Sequence, residues 1–154
     1  GDGVVTVGAS AAPSAMRRHL GLVAPDVALY GELTGLENML FFARVRGLTA
    51  ERARAEKVLA RLGLAGRGDD EARTYSSGMR HRLKYACALY HQPEILVLDE
   101  PSANLDEEGV AAIREVMAEQ RRSGVLIFAT NDPQEVSLAD QVLPLTGSAQ
   151  AGQR

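Results

Sequence analysis

The chain contains a single cysteine, Cys87, so it can form no internal disulfide. That thiol sits inside an apolar helical pattern, where a buried structural role is expected rather than a nucleophilic one. Long apolar runs are also missing. The longest, EILVLDE and GVLIFAT, fall far short of the roughly 20 residues that a membrane-spanning helix needs, so no bilayer crossing is predicted. No charged start followed by an apolar body opens the chain as a signal peptide would, which sets a cytoplasmic location as the expectation. Lysine is scarce, with only Lys57 and Lys84, and the formal net charge of -3 gives no reason to expect a nucleic-acid surface. Internal repeats and low-complexity segments are absent.

What remains is ordinary for a soluble globular chain: 154 residues, 45% hydrophobic and 24% charged. A chain of this length buries roughly 70% of the surface its unfolded form exposes, enough for one domain with a real core and room for a subdomain.

The opening GDGVVTVG reads as a short strand, and LGLVAP, stopped by Pro25, reads as a second. From Leu33 the signal turns helical. Thr34 with Glu37 three residues on forms a capping box, and Leu36, Met39, Leu40 and Ala43 supply one apolar face. Thr49 is expected to cap a second helix that turns Val58, Leu59 and Leu62 inward and ends at Gly63. After the polar loop GRGDDEARTYSSG, Leu83, Ala86, Cys87 and Tyr90 recur at helical spacing until Gln92 and Pro93 close the helix. EILVLDE has the near-continuous apolar pattern of a central parallel strand covered on both faces. A helix (EEGVAAIREVMAEQRR), a strand (GVLIFAT), a helix (PQEVSLAD) and a strand (QVLPL) follow. This alternation predicts an α/β fold with a parallel sheet, and residues 33–75 read as a helix-rich lobe upon it.

The strand over Ile95 to Leu98 delivers Asp99 and Glu100 at its carboxyl end, where open α/β sheets place their ligand sites. The first acid could hold a Mg²⁺ ion, directly or through water, and the second could polarise an attacking water. Acids at strand ends also simply face solvent or cap the next helix. One helix upstream, Ser76, Ser77 and Gly78 open a helix whose N-terminus presents unpaired N–H groups and partial positive charge, a place for an anion. Ser76 equally reads as an N-cap.

Together, YSSGM, the helix after it, the strand with its Asp-Glu pair, and SANLD resemble the ATP-binding subunit of an ABC transporter. The family order is signature motif, helix, Walker B strand and D-loop. The resemblance extends from about Gly1 to Leu145, and LYGELTGLEN is similar to the start of the family's helical subdomain. It implies a P-loop NTPase-like parallel sheet with a helical subdomain at residues 33–92, an α/β core at 1–32 and 93–145, and a flexible tail at 146–154. It also implies ATP and Mg²⁺ as cofactors, with Ser76, Ser77 and Gly78 gripping the γ-phosphate of a nucleotide held mainly by a second, head-to-tail domain. Asp99 then matches the acid that holds Mg²⁺ through water, Glu100 the catalytic base, and Asp106 the acid that communicates across the dimer, with Pro101 fixing the turn. The implied partners are a second nucleotide-binding domain and a transmembrane permease, the implied place the inner face of the cell membrane, and nucleic acid is not among the partners. Residues 29–38 would face the permease. Tyr30 is kept as the contact there, while Leu33 and Leu36 read as core by their helical spacing.

Three departures stand out. The phosphate-cradling loop G-x-x-x-x-G-K-[ST] occurs nowhere, and neither Lys57 nor Lys84 follows such a glycine pattern. The chain is therefore expected to begin just downstream of that loop, as a fragment or ordered remainder of a longer protein, and to bind ATP poorly alone. The family's switch glutamine falls at about Pro25, which has no side-chain donor or acceptor, with Asp26 beside it. The switch histidine is Asn131, which can donate a hydrogen bond but cannot carry a proton, and which also reads as an N-cap. Three functions stay open: a transport ATPase, a degenerate non-catalytic partner subunit, favoured by Pro25 and Asn131, and a soluble ABC-type regulatory module, disfavoured by the lack of heptads and lysine-rich runs. YSSGM in place of a leucine-led signature points toward the exporter-like branch.

Overall fold

The computed structural model describes residues 18–144. Its elements run β1 (Leu20–Val23), α1 (Gly35–Val45), α2 (Arg52–Arg61), a 3-10 turn (Ala72–Thr74), α3 (Ser77–Leu89), β2 (Ile95–Asp99), α4 (Glu107–Ser123), β3 (Val125–Ala129) and α5 (Pro133–Val136). The strand expected at GDGVVTVG, Leu145 and the tail at 146–154 lie outside the described residues.

The three strands form a parallel sheet in the order β1-β2-β3. β2 is central, as its apolar run requires: Val23 pairs with Leu98 on one side, and Asp99 with Ala129 on the other. Alternate residues Val23, Leu96 and Leu98 are buried, with α3 packed on β1 and α4 on β3. On the other face Leu20, Leu22, Val125 and Ile127 stay exposed. β2 itself is buried at Ile95, Leu96 and Leu98 and half-buried at Val97, in keeping with its apolar run, while the flanking strands leave the second face open among the described residues.

α1 starts as expected. The Thr34 hydroxyl accepts from the Glu37 N–H (3.1 Å) while the Glu37 carboxylate accepts from the Thr34 N–H (2.8 Å), the reciprocal pair of a capping box. Leu36, Met39 and Ala43 enter the core, Leu40 is half-buried, and α2 adds Leu59 with Leu62 just beyond it. α2 begins differently from the expectation at Thr49. Its N-cap is Glu51, whose side chain makes no capping bond. The hydroxyl of Tyr90, at the end of α3, accepts from the Glu51 N–H (2.7 Å) and donates to the Thr49 carbonyl (2.9 Å). A tertiary contact thus replaces the local cap. The helix ends near Gly63, whose φ of +69° suits glycine.

α3 is capped by Ser76, whose Oγ accepts from the Met79 N–H at 3.2 Å. Leu83, Ala86, Cys87 and Tyr90 are all buried, as their spacing predicts. At the carboxyl end the sequence overstates order. α5 is a single turn, and residues 141–144 of QVLPL form no strand. Pro144 has no N–H to donate to a ladder, and Asp140 instead pairs with Arg121 of α4.

Candidate functional site

The carboxyl ends of β1 and β2 open side by side into a cleft of about 410 Å³, lined by residues that include Pro25, Ser77, Lys84, Asp99, Glu100 and Asn104. The fold thus brings the two acids and the N-terminus of α3 to one cavity, with Pro25 on its wall. Asp26 does not line it.

Asp99 ends β2 with its side chain exposed. Glu100 turns the chain out of the strand through a left-handed backbone, φ +53°, a region that costs a residue with a Cβ about 1–3 kcal/mol. Its N–H donates to the Ala129 carbonyl (2.9 Å) and its carbonyl accepts from the Ala103 N–H (3.1 Å), which fixes the turn at both ends. The carboxylate itself accepts from Asn131 Nδ2 at 3.0 Å. Asn131 is therefore joined to Glu100, and the capping of α5 falls to Asp132, whose Oδ1 accepts from the Gln134 N–H at 2.8 Å.

Three side chains of α3 that the sequence pattern did not single out for this site reach the same two loops. The Tyr85 hydroxyl donates to the Pro101 carbonyl (3.0 Å), and His81 Nε2 meets the same oxygen at 3.1 Å. Lys84 Nζ donates to the carbonyls of Ala24 (3.2 Å) and Pro25 (2.6 Å). Burial pushes the Tyr85 phenol up and the His81 imidazole down. It also lowers Lys84, against the pull of Asp26. Polar groups at positions i, i+3 and i+4 on one helix face were the available signal. Glu135 was missed as well: it is 1% exposed, and its carboxylate accepts from the Ser102 hydroxyl, tying SANLD to α5.

Ser76 and Ser77 are exposed at the head of α3. A Cβ on Gly78 would stand 3.1 Å from the Asn104 carbonyl, so the close approach of these two loops favours glycine. Asp106 caps α4, its Oδ1 accepting from the Gly109 N–H at 2.8 Å. Tyr30 is 48% exposed and stacks edge-on to Phe41, whereas Leu36 is core and Leu33 half-buried. Asn38, fully buried, holds the loop that carries Tyr30: its Oδ1 accepts from the Tyr30 N–H (2.9 Å), and its Nδ2 donates to the carbonyls of Tyr30 (3.0 Å), Leu33 (3.3 Å) and Thr34 (3.0 Å).

No group of three or more His, Cys, Asp or Glu side chains able to hold a metal ion occurs among the described residues. Asp99 and Glu100 are the carboxylates of the cleft. Two hard oxygen donors beside an open cavity fit Mg²⁺, which keeps several waters and completes its shell on substrate phosphates. Among the described residues Lys84 is the lysine that reaches the cleft, and both its carbonyl partners are backbone.

A family model described as ABC transporter matches residues 4–103. The linearmycin resistance ATP-binding protein LnrL of Bacillus subtilis (strain 168) is 35% identical over 117 residues, covering 75% of this chain and 38% of that protein. The daunorubicin resistance ATP-binding protein DrrA3 of Streptomyces coeruleorubidus is 37% identical over 140 residues, covering 90% and 44%. A solved structure described as an ATP-binding subunit of an ABC transporter superimposes with a TM-score of 0.71 at 27% identity, covering 83% of this chain and 55% of that one. The chain thus spans about two-fifths of the length of these two curated relatives. With the YSSGM helix, the Asp99–Glu100 strand end and the parallel sheet in one arrangement, the chain belongs to the ABC transporter family of ATP-binding proteins.

Proposed function

We propose that the chain is part of an ATP-hydrolysing subunit that works as a dimer and drives a membrane permease from the inner face of the cell membrane. The observation that carries this reading is the Glu100 carboxylate, held by Asn131 beside Asp99 at the mouth of a cleft that also receives the head of α3. Glu100 takes the proton of the attacking water, a general-base contribution of about 10²–10⁴ in rate. Asp99 would hold Mg²⁺ through water, and the chemistry that ion would supply is charge neutralisation for the transferring phosphate. Asn131 donates to Glu100 and orients it. Ser76, Ser77 and Gly78 offer the helix N-terminus to the nucleotide of the opposing subunit. Asp106 lies at the dimer face, and Tyr30 with Phe41 forms the permease contact. In this reading residues 33–92 are the helical subdomain, and 1–32 with 93–145 the α/β core.

The relatives named for linearmycin and daunorubicin resistance support an export role. A second reading, a non-catalytic partner subunit, rests on Pro25 and Asn131 at the switch positions. Mg²⁺-dependent ATP turnover of the full-length protein, compared with its Glu100→Gln form, separates the two. Turnover lost on the substitution supports the ATPase, and nucleotide binding without turnover supports the silent partner.

A further inference from the structure

α3 carries more than the anion-binding end. Ser77, His81 and Lys84 lie at i, i+4 and i+7 on one face of the helix, so a line of side chains runs about 10 Å from its head along the cleft. His81, with Tyr85, holds the carbonyl of Pro101, the residue after Glu100. Lys84 holds the carbonyls of Ala24 and Pro25, the residues after β1. β1 and β2 are adjacent, with Val23 paired to Leu98. One helix therefore grips both loops that leave the sheet at the cleft.

The grip on the β1 loop depends on a side chain from elsewhere in the fold. Pro25 offers neither a side-chain donor nor an N–H, and it is exposed. The Ala24 carbonyl accepts the local Val27 N–H at 3.2 Å as well as Lys84. Lys84 is half-buried; its bond to the Ala24 carbonyl is partly shielded from water, while its shorter bond to the Pro25 carbonyl is exposed.

Building on the ATPase reading, we infer that Lys84 is the positioning residue of the site: its ammonium clamps the Ala24–Pro25 backbone to α3 and thereby sets the geometry in which Glu100 acts. The clamp links the middle of α3 to the switch loop of the same chain through a cation, where the side chain at position 25 supplies no link. It touches neither water nor phosphate in the reaction, so it governs turnover rather than nucleotide affinity.

Two substitutions in the full-length protein test this. Lys84→Met keeps the aliphatic stem and removes the donors, and Lys84→Arg restores donors to two carbonyls. The clamp predicts that Lys84→Met raises hydrogen exchange at the Val27 amide about tenfold. It also predicts a fall in kcat of about tenfold or more at unchanged KM for ATP. Lys84→Arg should recover most of both. Unchanged exchange in Lys84→Met overturns the clamp, and unchanged kcat overturns its link to turnover. A loss that Lys84→Arg leaves unrepaired, with a lowered Tm, reduces Lys84 to a packing residue and also overturns the proposal. If the unsubstituted protein turns over no ATP, the ATPase reading falls separately. Val27 exchange then decides the clamp, a tenfold rise supporting it and an unchanged rate overturning it.

Discussion

Asn131 Nδ2 stands 3.0 Å from Glu100 Oε1, so the residue before the α5 cap holds the acid that leaves β2. Hydrogen bonds to charged groups are worth about 1.5–3 kcal/mol, less at an exposed site such as this one. Asn131→Ala is expected to lower kcat about tenfold in steady-state ATP turnover of the full-length protein. Asn131→His should retain activity and add a pH limb near the ordinary histidine range, about 6.5, because the new side chain titrates where asparagine cannot. A flat pH profile for that variant would count against direct contact with the reacting group.

Asn38 is fully buried and spends both ends of its amide on the loop from Tyr30 to Thr34. Asn38→Asp removes the side-chain donor and sets a buried carboxylate against the carbonyls of Tyr30, Leu33 and Thr34, which keep only their backbone donors from Leu33, Ala72 and Asn38. A loss of about 3 kcal/mol in denaturant unfolding is expected, with faster exchange at the Tyr30 amide.

Tyr90→Phe isolates the tertiary cap of α2. The ring keeps its packing and its contact with the Arg54 guanidinium 5.0 Å away, while the Glu51 N–H and the Thr49 carbonyl lose their partner. About 1–3 kcal/mol should be lost. Exchange should quicken in the first turn of α2 and stay unchanged in the centre of α3.

Cys87 is a packing residue with a measurable pH signature. Burial pushes its thiol up to about 12 from an ordinary value of 9.0. The native state therefore keeps a proton that the unfolded chain releases first. The contribution to stability is fully present below pH 9.0 and is lost as pH rises toward about 12. Cys87→Ala should flatten that alkaline decline, and thiol labelling at pH 8 should proceed only as fast as the protein opens.

Much of this was legible in the chain because the signals were local. The Thr34 and Glu37 pair, the run of Leu83, Ala86, Cys87 and Tyr90, and the strand ending in Asp99 and Glu100 each state their structure within a few residues. Failures arose where the deciding partner lies far away in sequence. Tyr90 caps α2 from 39 residues downstream, and Lys84 reaches Pro25 from 59 residues downstream. Glu135 meets Ser102 across 33 residues. None of these pairings carries a spacing rule. QVLPL misled through composition: apolar, β-favouring residues suggested a strand, but residues 141–144 form none, and Pro144 has no N–H to donate to a ladder.

Under the proposed ATPase reading, the left-handed backbone at Glu100 sets folding and chemistry against each other. A glycine there would relax the φ of +53° and gain about 1 kcal/mol of local ease. Redesign of this protein for thermal resistance alone would therefore favour removing the very carboxylate that Asn131 holds in place.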